Sequence, residues 1–144
     1  MKPLRHLALF LTESCNLACE YCFASNMERQ AIDLDLARRS VDLLIDPASK
    51  AKRLAVSFWG GEPLLCFDEI VELIRYAEER AAAQDKEVRF SIPTNLTLLT
   101  PEMLDFFVEH PVALSLSLDG DEAAQNLRRT AGGRPTVPIV QEKL

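Results

Sequence analysis

Three cysteines, Cys15, Cys19 and Cys22, crowd the run Cys15-Asn16-Leu17-Ala18-Cys19-Glu20-Tyr21-Cys22, spaced as CxxxCxxC. Soft thiolates on one loop can converge on an iron–sulfur cluster and leave one iron without a protein ligand. The spacing differs from the CxxC pairs of common zinc sites and from the usual ferredoxin runs. The residues leave other readings open: a zinc site completed by Cys66 or His6, a thioredoxin-like pair at Cys19 and Cys22, or three small core residues. Zinc needs a fourth ligand, a redox pair leaves Cys15 unexplained, and core cysteines do not account for Gly60-Gly61-Glu62-Pro63 further along.

These groups need elements to hold them. Residues 6–11 read as a buried strand ending at Thr12, directly before the cysteines. Asp33 caps a helix carrying Leu36, Ala37, Val41, Leu44 and Ile45, which stops before Pro47. Residues 54–59 form a second apolar run broken by Gly60-Gly61, and residues 68–83 place Ile70, Leu73, Ile74 and Ala77 at helical spacing. Residues 88–92 give a third strand, and Thr100-Pro101 opens a helix over 102–109. Residues 112–118 give the fourth strand. The pattern then loosens through Arg128-Arg129 and Gly132-Gly133, and residues 137–144 read as a further helix.

Alternating strands and helices predict an α/β fold with parallel strands, about four βα units of a partial barrel. Every unusual group follows a predicted strand: residues 12–22, 60–63, Thr94-Asn95 and 117–120. In such folds reactive groups gather beyond the carboxyl ends of the strands, so a curled sheet brings these around one mouth. The period of two in 115–120 puts Ser115, Ser117 and Asp119 on the interior face and the leucines on the other. Trp59 and Cys66 are read as packing residues. Four strands do not close a barrel, so the reading is of an N-terminal fragment with an unpaired edge.

At 144 residues with 48% hydrophobic and 26% charged content, the chain has globular composition and the length of one domain. The net charge of -6, without strong Lys/Arg clusters, argues against nucleic acid as a partner. No apolar run approaches the ~20 residues of a membrane helix. The roughly six apolar residues near the N-terminus are too few for a signal peptide. The expected location is cytoplasmic, where clustered thiols serve metals rather than disulfides.

Cys15, Cys19, Tyr21 and Cys22, followed by Phe23, resemble the CxxxCxφC signature of the radical S-adenosylmethionine (radical SAM) superfamily, φ being aromatic. The resemblance implies that the three cysteines bind a 4Fe-4S cluster whose open iron is chelated by the amino and carboxylate groups of S-adenosylmethionine. Reductive cleavage then gives a 5′-deoxyadenosyl radical that abstracts hydrogen from substrate. By the same resemblance Tyr21, Gly60, Gly61, Glu62, Asn95 and Ser117 bind the cofactor, with Ser115 second to Ser117. Leu96 stands where the family's Thr-Asn pair is followed by glycine. Gln125-Asn126 stands where relatives carry His-Asp, and Arg129 keeps the arginine three residues on, which the resemblance assigns to the cofactor carboxylate, with Arg128 beside it and a solvated loop role as the alternatives.

The set CxxxCxφC, GGEP, TN and SxDG is similar to the subgroup of anaerobic sulfatase-maturating enzymes and ribosomal-peptide maturases. That likeness implies an oxidoreductase acting on a peptide or protein, served by an electron donor such as a flavodoxin or ferredoxin. Residues 1–144 then form the N-terminal portion of the core domain, without the C-terminal SPASM extension. The competing readings are a noncatalytic metal-binding fragment and a radical SAM enzyme acting on a small molecule.

Overall fold

A computed structural model of the chain describes residues 3–22 and 30–143; Phe23 and Leu144 lie outside the described residues. The elements run β1 (His6–Thr12), α1 (Leu34–Leu44), β2 (Arg53–Gly60), α2 (Phe67–Ala82), β3 (Glu87–Thr94), α3 (Pro101–Glu109), β4 (Val112–Leu116), α4 (Glu122–Arg128) and α5 (Val137–Lys143). A short 3₁₀ helix, Pro63–Cys66, leads into α2. The four strands make one parallel sheet in the order β1-β2-β3-β4.

Parallel strands taken in sequence order, each returned by a helix, place their helices on one face. Alternation in the strands matches that face: Leu9, Leu11, Leu54, Val56, Phe58, Phe90 and Ile92 are buried. They share the core with Val41 and Leu44 of α1, Ile70, Leu73 and Ile74 of α2, and Phe106 and Phe107 of α3. The helices begin where short polar side chains satisfy free N–H groups. Asp33 accepts from Asp35 N at 2.8 Å and Leu36 N at 3.3 Å, and Thr100 accepts from Met103 N at 3.2 Å. At the other end of α1, the buried Lys86 ammonium donates to Asp46 O at 2.5 Å.

The opposite face of the sheet is the inner face of the curl. Trp59, expected in the core, stands there 43% exposed and stacks on Phe10 with ring centroids 6.4 Å apart. Its place follows from the register: Leu54, Val56 and Phe58 point to the helices, so the next residue points inward. Cys66 does pack against the core.

Two more expectations change. β4 ends at Leu116, two residues early, because past this point the described ladder to β3 keeps only Ser117 N–H to Thr94 O at 2.9 Å. Leu116 at its end and Leu118 beyond it are 42% and 48% exposed rather than packed. Residues 122–128 form a short helix that the sequence pattern did not announce, capped by Asp121 and anchored by buried Gln125.

The buried and exposed sides of the helical layer make opposite predictions for substitution. Ile74→Ala, at a fully buried position, should cost about 2–5 kcal/mol in urea unfolding. Leu43→Ala on the exposed side of α1 should stay within about 0.5 kcal/mol of the parent.

Candidate functional site at the strand ends

A cavity of about 220 Å³ opens where β1, β2 and β3 end. The loop after β1 supplies Cys15, Leu17, Cys19, Tyr21 and Cys22; the end of β2 supplies Trp59, Gly60, Gly61 and Glu62. Pro93, Thr94 and Asn95 come from β3, with Ser117 and Arg129 closing the far side. All ten candidate site residues read from the sequence are thus brought to one cavity. Ser115 is not among the lining residues; it lies in register with Pro93, exposed on the edge strand. Leu17, Trp59 and Pro93 join the wall without having been singled out for it. Their signal was positional, since each adjoins or follows a strand end beside a polar candidate.

The glycines earn their place through the cysteine loop itself. A bulge in β1 between Phe10 and Thr12 sets Thr12 opposite Gly60. A Cβ on Gly60 would stand 2.5 Å from Thr12 O, and one on Gly61 would stand 2.3 Å from Ser14 O and 3.0 Å from Cys15 Cβ. The close approach lets Gly61 N–H donate to Thr12 O at 2.8 Å and Glu62 N–H to Ser14 O at 3.0 Å. Backbone of the turn and backbone of the loop are therefore laid side by side.

Glu62 lies 1% exposed, and both of its carboxylate oxygens receive donors of the chain. Oε1 accepts from Leu64 N at 3.1 Å and Thr94 Oγ1 at 2.8 Å; Oε2 accepts from Asn95 N at 2.8 Å. Burial pushes its pKa up, and the three hydrogen bonds pull against that shift. Asn95 carries the tie onward, its Nδ2 donating to Asn16 Oδ1 at 3.0 Å and lying 3.9 Å from Cys15 Sγ. Its Oδ1 accepts from Thr97 N at 3.0 Å. Leu96 takes φ +70, the left-handed conformation that glycine adopts most readily, and its side chain is 2% exposed in the core.

The loop is also held from the other side. Ala18 N–H donates to Thr130 O at 2.8 Å and Glu20 N–H to Arg128 O at 3.0 Å, which brings Arg129 over Tyr21 with its guanidinium carbon 5.4 Å from the ring centroid. Tyr21 donates its hydroxyl to Asp119, and Arg129 Nε stands 3.3 Å from Asp119 Oδ1 as an ion pair. That contact lacks hydrogen-bond geometry, so the buried Nε has no hydrogen-bond acceptor among the described residues. Gln125 accepts from Asp119 N at 2.9 Å and donates to Thr136 Oγ1 at 3.2 Å, while Asn126 accepts from Thr136 N and Val137 N at 3.0 Å and caps α5. The Gln-Asn pair therefore has an internal duty here.

The three thiols are free and spread around the cavity rather than drawn in as around one ion, and no such group of three His, Cys, Asp or Glu stands among the described residues. A cubane takes each thiolate on a different iron, so its ligands need not meet at a point. The fourth ligands considered for zinc lie elsewhere: His6 bonds Ser57 at 2.7 Å at the start of β1, and Cys66 sits in the turn before α2, outside the cavity lining. Burial pushes the Cys15 and Cys19 thiols up; the Leu17 N–H opposes the first shift and Arg129 the second. Partial burial and the hydrogen bond to Asp119 push Tyr21 up to about 12.

Two outcomes follow. Gly61→Ala should cost about 1–3 kcal/mol in chemical unfolding and should abolish metal uptake by the loop, whereas Leu43→Ala, on the exposed side of α1, should leave uptake unchanged. The cluster-free thiols Cys15 and Cys19 should alkylate slowly at neutral pH, the rate climbing only above the ordinary thiol range, because raised pKa values keep them protonated. Fast alkylation at neutral pH, mapped to these residues by mass spectrometry, would contradict this electrostatic picture.

The family model described as Radical SAM superfamily matches residues 9–142. The chain is 31% identical over 133 residues to an uncharacterized protein of Methanocaldococcus jannaschii, covering 92% of this chain and 45% of that one. It is 32% identical over 131 residues to the serine-type anaerobic sulfatase-maturating enzyme of Klebsiella aerogenes, covering 88% and 32%. Among solved structures it superposes on native anSMEcpe with bound AdoMet and Cp18Cys peptide with a TM-score of 0.83 at 26% identity, covering 98% of this chain and 38% of that one. The chain thus spans less than half the length of these relatives. With the CxxxCxφC loop, the glycine turn and the parallel βα units in one frame, this chain belongs to the radical SAM superfamily.

Proposed function

We propose that residues 1–144 are the N-terminal portion of a radical SAM core domain in an enzyme that modifies a peptide or protein. The reading rests on one observation above all: three thiols and seven further candidate residues from five separate segments line a single cavity at the strand ends. Cys15, Cys19 and Cys22 are the ligands for a 4Fe-4S cluster, a role that suits a soft donor set with no fourth thiol in the cavity lining. S-adenosylmethionine would be held by the other residues of the same lining. When both are bound, they supply one-electron cleavage to a 5′-deoxyadenosyl radical able to take hydrogen from an unactivated carbon.

The chain's own groups do the holding. Arg129, with its buried Nε lacking an acceptor, offers a charge-assisted partner for the cofactor carboxylate. Ser117 offers a hydroxyl, and Gly60 and Gly61 keep the floor of the cavity low. Tyr21 presents its ring beside the thiols, and Asn95 fixes the loop between them. A peptide substrate is favoured by the likeness to sulfatase-maturating enzymes, one of them solved with a bound peptide. The electron is assigned to a flavodoxin- or ferredoxin-type donor. A cytoplasmic setting agrees with four free cysteines, and no helix among the described residues is long and apolar enough to cross a membrane.

Anaerobic reconstitution tests the reading. The protein should take up about four irons and, once reduced, release 5′-deoxyadenosine from S-adenosylmethionine; Cys22→Ala should lose both. Stoichiometric zinc, with no iron uptake and no 5′-deoxyadenosine, would overturn it.

A further inference from the structure

We propose that Asp119 is a positioning residue that closes a clamp over the cysteine loop and preorganises its thiols for the cluster, an inference that rests on the reading above for its metal-binding consequence. Asp119 lies just beyond β4, across the cavity from the cysteines. It accepts the Tyr21 hydroxyl, which sits between Cys19 and Cys22 in sequence, and it pairs with Arg129 at 3.3 Å. Arg129 in turn covers the Tyr21 ring. The three side chains form a closed set in which each touches the other two.

Two main-chain hydrogen bonds run alongside, Ala18 N–H to Thr130 O and Glu20 N–H to Arg128 O, and they flank Cys19 on both sides. Asp119 is itself held from behind, its N–H donating to Gln125 Oε1, so the clamp is fastened to α4 rather than to the loop it grips. This arrangement has the form of a support that fixes ligand orientation before the metal arrives. The Asp119 carboxylate is the only group in the set that joins both the hydroxyl and the guanidinium, and its removal releases both contacts together.

The test uses Tyr21→Phe and Asp119→Asn in the whole chain. Tyr21→Phe removes one hydroxyl from a side chain already 52% exposed, so folding is preserved even where an Asp119 variant fails. In the metal-free protein, hydrogen exchange should find the Ala18 and Glu20 amides protected, with protection falling about tenfold in either variant, the value of one hydrogen bond to a charged group. The core amides and the melting temperature should not move. In the reconstituted protein a chelator should strip iron from the variants about tenfold faster, with the parent's iron content at the start. Loop protection and iron release both within about twofold of the parent would overturn the clamp. A parent chain that takes up no iron while its loop amides still respond would instead defeat the cluster reading and leave the clamp standing.

Discussion

A carboxylate with almost no access to water has to be met by donors or it is not tolerated, and the Glu62 side chain is met by three. Those donors come from two segments, the turn after β2 and the end of β3, so satisfying one buried charge fixes two strand ends against each other. The turn then presents Gly61 to Ser14, and the β3 end presents Asn95 to Asn16. Both contacts fall on the first residues of the cysteine loop. Removing one donor would leave a buried charge short of a partner, which makes the arrangement all-or-nothing rather than graded.

The second half of the loop depends on different physics. Cys19 to Cys22 is gripped by main-chain hydrogen bonds, a cation over a ring and an ion pair, all supplied by residues 119–130. Those contacts lie nearer to water than Glu62 and hold more weakly. The loop thus leans on close-packed backbone at Ser14 and Cys15 and on more exposed contacts toward Cys22.

The outer layer of the fold was legible because it obeys simple periodicities. Leu54, Val56 and Phe58 alternate, Ile70, Leu73, Ile74 and Ala77 recur at helical spacing, and Asp33 and Thr100 stand where helices need an acceptor. The candidate site was legible because its residues are chemically unusual and, apart from Arg129 at the end of α4, gather at strand ends. What the sequence hid was carried by single long-range contacts. Trp59 looked like core because it is large and apolar, yet strand parity turns it inward. Helix α4 was hidden because seven residues with few apolar side chains have little local signal; it exists through Asp121, Gln125 and their partners. Leu96 breaks the local rule against left-handed backbone, offset by its burial, and no neighbour in sequence announces that compensation.

The strap between the loop and the segment after α4 joins Ala18 to Thr130, which are 112 residues apart. At a synthesis rate of roughly 5–20 residues per second, the thiols leave the ribosome roughly 6–22 s before their second wall has been made. During that interval the half of the loop nearest Cys22 has no partner to enclose it, and its sulfurs meet whatever oxidant or metal the surroundings hold. The linear order of the chain therefore makes its most oxidation-sensitive groups among the first to be synthesised and the last of the cavity wall to be sheltered.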